Sequence, residues 1–400
     1  MTRTVLTGAT VVDGTGAAPG QADVLIENGR IVDIGSGLDG DESIDLSGKA
    51  LLPGFFDCHV HVVFSGVDLL KALLQPFSLQ YYEASRNLEL TLAAGITTVR
   101  DAGGADAGIK QAVDEGYISG PRIKASITIL SQTGGHADPW CASGGSFEAY
   151  APIPGRPGSV VDGIEGMRLR VRELVRAGAD CIKLCTSGGV LSPGDSWRHP
   201  QFSPEELEVA VAEARAAGIH VMAHAQAAQG IKNAVRAGIR SIEHGVQLDD
   251  EAIELMLANG TWLVPTLVAP LSVLEAADSG VNLPESILEK AREVVEIHRD
   301  SFTRAVAAGV KVAMGTDSGV GPHGRNLREL GLMAAGGMKP MDVLVATTSS
   351  AAELLGVQDE LGTLEPGKRA DLVVVDGDPL DVATLGDRVE QVWKDGEREA

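Results

Sequence analysis

Paired cysteines, long apolar runs and a surplus of basic residues are what this sequence lacks. Its four cysteines, Cys58, Cys141, Cys181 and Cys185, make no Cys-x-x-Cys pair, so no disulfide framework is indicated. No stretch approaches the roughly 18 apolar residues of a membrane span. The opening Met1-Thr2-Arg3-Thr4-Val5-Leu6-Thr7 has no signal-peptide core and reads as the start of a strand. Only 33 basic residues face 55 acidic ones, a net charge of −22. A chain that acidic is a poor partner for nucleic acid or an anionic membrane. The expectations left are a small-molecule substrate, buried free thiols and a cytoplasmic setting.

What is present suits a large α/β protein. The 400 residues are 44% hydrophobic, enough for one big barrel domain with additions. The first fifty residues read as short strands at 5–12, 22–27 and 30–34, with Asn28-Gly29 as a hairpin turn. The end of the chain repeats that style at 371–375 and 389–394. Residues 1–52 and 361–400 are therefore expected to form a small β-sandwich domain, with 53–360 inserted between them. In that insert, apolar strands at 51–62, 96–101, 122–130, 181–186, 220–225, 241–244, 262–267 and 311–316 alternate with helix-forming stretches. Five of the helices end in Ala-Gly, at 94–95, 177–178, 217–218, 237–238 and 308–309, where glycine supplies the left-handed cap. Eight helix–glycine–strand units predict a (β/α)₈ TIM-type barrel. An open doubly wound sheet fits less well, because no Gly-rich phosphate loop follows the first strand. Residues 142–158 are expected to form a long loop over one end.

Side chains two apart on a strand share a face, so His59-Val60-His61 aims two imidazoles at one point, as a metal site requires. Barrel active sites lie at the C-terminal strand ends, and those ends carry more. Lys183 sits in Cys181-Ile182-Lys183-Leu184-Cys185, and His224, His244 and Asp317 end later strands. Four of the nine histidines thus fall at strand ends. Neutral imidazoles and carboxylates suit Zn²⁺ or a similar divalent ion. Lys183 joins this set, snorkels or pairs with an acid. Asp101 ends another strand and either orients a ligand or lines the pocket. Glu243 alternates to the face opposite His244 and reads as structural, as do His220 at a strand start and His298 in a helix.

The segments Pro53-Gly54-Phe55-Phe56-Asp57-Cys58-His59-Val60-His61 and Gly315-Thr316-Asp317-Ser318 resemble the first and last strand motifs of the metal-dependent amidohydrolase superfamily. The segment from Leu361 to Val373 is similar to that family's return to its small domain. The resemblance is to the binuclear form with a carboxylated lysine. Residues 132–138, 201–207 and 322–330 are similar to the prolidase-like and imidazolonepropionase-like branch, and the last of these places His323 among substrate-binding candidates. The resemblance implies two divalent ions, zinc by preference, held by His59, His61, Lys183, His224, His244 and Asp317. Lys183 would react with CO₂ to give a bridging carbamate, which needs the amine kept neutral by burial. Such ions lower the pKa of water towards about 7. Asp317 would orient that water, take its proton and pass it to the leaving amine. His136 would help polarise the scissile carbonyl.

Substrate choice lies in the loops. Gln226 stands where prolidase-like relatives carry a tyrosine that holds a carboxylate. In the loop after strand four, Arg198 is placed to clamp a carboxylate and Trp197 to wall an aromatic or prolyl ring. Tyr81, Tyr82 and Arg325 are further candidates. The expected reaction is hydrolysis of an amide bond in a dipeptide or N-acyl amino acid. Ring opening of a cyclic amide or imidazolone, and ester or lactone hydrolysis, are the alternatives. An isomerase or decarboxylase on the same scaffold, or a metal-free scaffold protein, are the remote ones. A homo-oligomer stays open, because barrel enzymes often associate and no segment specifies an interface.

Overall fold

The structure, a computed structural model, describes residues 3–146, 153–192 and 194–400. Both chain ends meet in one eight-stranded sheet. Arg3–Val11, Gly20–Glu27 and Arg30–Gly35 form an antiparallel meander, with Asn28 and Gly29 at φ 54° and 76° in the turn, both left-handed as the tightest hairpins require. Lys49–Pro53 joins this meander to Leu372–Asp376, Val389–Lys394 and Glu397–Arg398 from the other end of the chain. The small domain is one hydrogen-bonded sheet that branches, and Ile26 and Ile31 from the first half share an apolar cluster with Leu372, Val374 and Trp393 from the second. Arg3–Val11 pairs with Glu42–Asp45 through residues 4–7 and with Lys49–Pro53 through residues 10–11.

The middle of the chain forms parallel strands with helices between them. Phe55–Val60, Ile96–Asp101 and Arg122–Ala125 make one sheet. Ile129–Leu130, Cys181–Cys185, His220–Ala225, Ser241–His244 and Trp262–Val264 make another. All five Ala-Gly glycines adopt φ between 75° and 95°, so the helix-ending signal is realised each time. Core strands are buried along their whole length, as helices on the outer face demand.

Three strand expectations change in detail. The stretch 51–62 is two strands parted at Gly54, where a Cβ would stand 2.3 Å from Thr97 Oγ1. The stretch 122–130 breaks at Ile127, whose φ is 69°. Its first half pairs with Ile96–Asp101 and its second with Cys181–Cys185. Residues 311–318 form no regular strand, yet Ala313 N–H bonds Leu263 O on one side, and Cys58 and His61 N–H bond Met314 and Ser318 O on the other. They connect the last strand to the first. Of the loop at 142–158, residues 147–152 lie outside the described residues. No helix among the described residues is long and apolar enough to cross a membrane.

Candidate active site

Five chain segments bring six polar side chains to the C-terminal strand ends. His59 and His61 come from Phe55–Val60 and its end, Lys183, His224 and His244 from Cys181–Cys185, His220–Ala225 and Ser241–His244, and Asp317 from the 311–318 segment. All six border one cavity of about 450 Å³. The ligating atoms of His59, His244 and Asp317 lie within 4.8 Å of one another. Asp317 Oδ1 is 3.2 Å from His61 Nε2 and 3.5 Å from His59 Nε2, and Lys183 Nζ is 3.4 Å from His59 Nε2.

The outward ring nitrogens fix which nitrogen faces in. His61 Nδ1–H donates to Gly103 O at 2.8 Å and His59 Nδ1–H to Glu243 Oε2 at 2.8 Å. Nδ1 of His244 meets Thr266 Oγ1 at 2.7 Å. His224 is held the other way, Nε2–H donating to Gly188 O at 3.1 Å, which leaves Nδ1 for the centre. Anchoring one ring nitrogen outward is how ligating histidines are oriented. Backbone strain adds to this. His244, Thr266 and Asp317 have φ of 70°, 54° and 60°, a left-handed conformation that costs non-glycine residues about 1 kcal/mol or more and gathers at functional sites.

Electrostatics favour the neutral form at three of the four imidazoles. Burial, reinforced by the Lys183 charge, holds His59 well below the usual histidine range. Burial does the same for His224 and His244. At His61 burial is outweighed by the Asp317 carboxylate and the pKa rises. Asp317 moves down, because its close charge contact with His61 overcomes burial. Burial lowers the Lys183 ammonium despite Glu243. The donor set passes a simple test for a divalent cation. Asp317 Oδ1 is buried with no hydrogen-bond donor among the described residues, and imidazole nitrogens already anchored through their other atom point at it.

Around this centre the structure adds residues the sequence reading missed. Glu243 is fully buried and takes His59 Nδ1–H, Arg100 Nη2–H at 2.9 Å and Ser241 Oγ–H at 2.5 Å. Its assignment to the opposite face fails because His244 leaves strand geometry at φ 70°, so alternation does not carry across that bond. Asp57 ties the first strand to the last segment through Thr316 and Asn326. The available signal was charge inside apolar strands, since buried Asp, Glu and Arg are rare unless paired.

His136 lies against His224, ring centroids 4.2 Å apart and 19° from parallel. Ser192 Oγ–H donates to Asp195, so His136 Nδ1–H must donate to Ser192 Oγ at 2.7 Å, leaving Nε2 for the cavity. Lys290 clasps the same loop, donating to the carbonyls of Gly189, Ser192 and Asp195 at 2.8, 2.6 and 3.1 Å. Gln226 borders the cavity, its buried Oε1 without a partner among the described residues.

Other expected substrate contacts are elsewhere. Trp197 is buried and donates to Glu293, which also binds the Arg198 guanidinium stacked 4.3 Å over the indole. Neither borders the cavity, because helix Glu285–Ala308 supplies that glutamate and takes both side chains. Asp101 accepts from Val62, Gly103 and Ala105 N–H; it shapes the loop whose carbonyl holds His61 and is off the cavity. His323 bridges Thr91 and Phe64 O, also away from it. Tyr81 reaches Asp106, and Tyr82 and Arg325 are exposed. His298, expected to be purely structural, donates to His244 O and borders the cavity.

Comparison with known proteins places this geometry. Ochratoxinase of Aspergillus niger is 33% identical over 98% of this chain and 86% of its own length. Imidazolonepropionase of Caldanaerobacter subterraneus is 27% identical over 90% of this chain and 85% of its own. Among solved structures, a Xaa-Pro dipeptidase with methionine in its active site is 35% identical with a TM-score of 0.92, covering 99% of both chains. A prolidase complexed with N-methylphosphonate-L-proline is 38% identical with a TM-score of 0.91, also over 99% of both. Residues 50–398 match the amidohydrolase family, and the chain is an enzyme of that family.

Proposed function

We propose that this enzyme uses divalent metal to hydrolyse the amide bond of a dipeptide or N-acyl amino acid, on a closed (β/α)₈ barrel of residues 53–360 carried by the small domain of 1–52 and 361–400. The supporting observation is the convergence of six donors, of which the four histidines already have their outward ring nitrogens engaged. His59, His61 and Asp317 would hold one ion, His224 and His244 a second, with carboxylated Lys183 between them. Zinc fits this nitrogen and oxygen set. When bound, the ions supply Lewis acidity and acidify water.

The chain's own groups do the rest. Lys183, its ammonium disfavoured by burial, adds as an amine to CO₂ and releases a proton. Asp317 Oδ1, lacking a donor, accepts a proton from the attacking water and returns it to the leaving nitrogen. His136, steadied through Ser192, donates from Nε2 when protonated, to the carbonyl oxygen as charge builds there. With these side chains engaged in holding metal, water is the attacking group.

A second reading is ring opening of a cyclic amide. It is favoured by the imidazolonepropionase similarity and by Gln226, a neutral amide where a carboxylate-holding tyrosine was expected. An ester or lactone would meet the same groups. We further read the enzyme as cytoplasmic, with all four cysteines free. The test is metal analysis of protein reconstituted with divalent ion and bicarbonate, paired with amine release from dipeptide and N-acyl amino acid libraries. About two ions per chain with amine release supports the proposal. Metal without amine release moves the assignment to cyclic amides, and no bound metal overturns it.

A further inference from the structure

The cavity has two chemically different parts. Its polar end is the cluster just described, with His136, Ser192 and Gln226 beside it. The remaining wall is mostly apolar and comes from separate elements, with Phe64, Val67, Leu73, Val273, Val294 and Val320 among its larger aliphatic and aromatic members and Thr128 and Ser159 as hydroxyls among them. Leu73 belongs to helix Leu69–Leu74, Val273 to Val268–Asp278 and Val294 to Glu285–Ala308. Away from the polar end the charged side chains of the described lining are Asp68 and Asp138. Both are engaged by backbone. Asp68 accepts Lys71 N–H as a helix cap, and Asp138 accepts from Gly134 and Trp140 N–H. Lys183 is the lining's sole lysine or arginine among the described residues, and the undescribed residues 147–152 and 193 contain neither type.

We propose that the acyl half of the substrate is a large, apolar, uncharged group seated against this wall, and that any substrate charge stays at the His136–Gln226 end. This rests on the amidase reading and selects N-acyl amino acids over free dipeptides within it. A dipeptide carries its ammonium on the acyl half. Seating that ammonium against valine and leucine strips its hydration, a transfer that is costly, and the carboxylates of the described lining beyond the polar end, Asp68 and Asp138, are each already held by backbone N–H groups. An alkanoyl or aryl group instead gains with every methylene it removes from water. A cavity of about 450 Å³ is within the range that encloses a drug-sized ligand.

The test is kcat/KM for N-acetyl-, N-butanoyl-, N-hexanoyl- and N-octanoyl-L-phenylalanine with the metal-loaded enzyme, together with norleucyl-L-phenylalanine. The last differs from the hexanoyl compound by one α-ammonium. Expected is a rise of about fourfold per methylene until the cavity fills, and a norleucyl value at least about tenfold below hexanoyl. Leu73→Asp, at a position 55% exposed that folding tolerates, flattens the rise. A flat or falling series, or norleucyl equal to hexanoyl, overturns the inference. Calorimetric binding of butanamide, hexanamide and octanamide reads the same wall without bond cleavage. If no acyl amino acid is cleaved, the amidase reading fails. Affinity that still climbs with chain length then upholds the apolar wall, and flat affinity overturns it as well.

Discussion

Glu243 joins two tasks in one carboxylate: it orients His59 and it neutralises the buried Arg100 guanidinium. Glu243→Gln keeps the shape and removes the charge. The imidazole then loses the anionic partner that raises its basicity, and metal affinity is expected to fall about 10–100-fold. Chelator competition measures this, and an affinity within a factor of about two of wild type would show that His59 is held without that charge. Close approach sets a second residue-scale limit. A Cβ on Gly189 would stand 2.2 Å from His136 Cε1, well inside contact distance. Gly189→Ala must therefore push the ring off its stack with His224. Since displacements of about 1 Å cost up to about 100-fold in rate, kcat is expected to drop by about tenfold or more with metal content unchanged. If kcat holds, His136 does not act from its present place.

Elements carry the positioning one step further. Helix Glu285–Ala308 reaches back through Lys290 to three carbonyls of the 189–195 loop, and so sets Ser192 and with it His136. Lys290→Met is expected to lower kcat about 10–100-fold while leaving the metal equivalents bound unchanged. Equal loss of metal and activity would place the effect in the centre itself. Helix Arg328–Ala335 provides a pH test. Its Glu329 is fully buried, accepts Leu267 and Val268 N–H, and burial raises its pKa from 4.5 to about 8. The folded state thus binds the proton more tightly than the unfolded chain. Its contribution to stability is fully present below pH 4.5, declines as pH rises and is gone above about pH 8. Urea midpoints of metal-free protein also carry the opposite pull of the buried neutral histidines below about pH 6.5, so the Glu329 share is read as the wild-type midpoint minus that of Glu329→Gln, which should decline as pH rises through the window. A difference that stays flat would show that Glu329 makes no such contribution.

At the scale of the molecule, what was legible in the sequence was whatever is enforced locally. Ala-Gly helix ends and the His59-Val60-His61 spacing depend on backbone periodicity alone, and each is realised. Glu243 was misplaced because strand periodicity was carried through a left-handed residue, which no local pattern announces. Trp197 and Arg198 were misplaced because their partner, Glu293, is about ninety-five positions away. Long-range pairing is equally invisible where the chain ends meet the parallel strands of the middle segment. Arg122, on strand Arg122–Ala125, bonds both Asp371 and Asp395 beside the small sheet, and Asp371 also accepts Asp395 N–H at 3.0 Å. The Asp371 side chain is 4% exposed and that of Arg122 is 21%. Removing one partner of a buried pair strands the other charge, at a cost of about 3–5 kcal/mol when burial is complete. The partial exposure of Arg122 places Arg122→Met near the lower figure, about 3 kcal/mol. Because the pair spans both sheets, the loss should shift one cooperative transition rather than split it. Circular dichroism and tryptophan fluorescence should then report the same lowered urea midpoint. Two separate transitions would mean that the small sheet and the parallel-strand body unfold independently, and a loss under about 1 kcal/mol would mean the pair behaves as an exposed one.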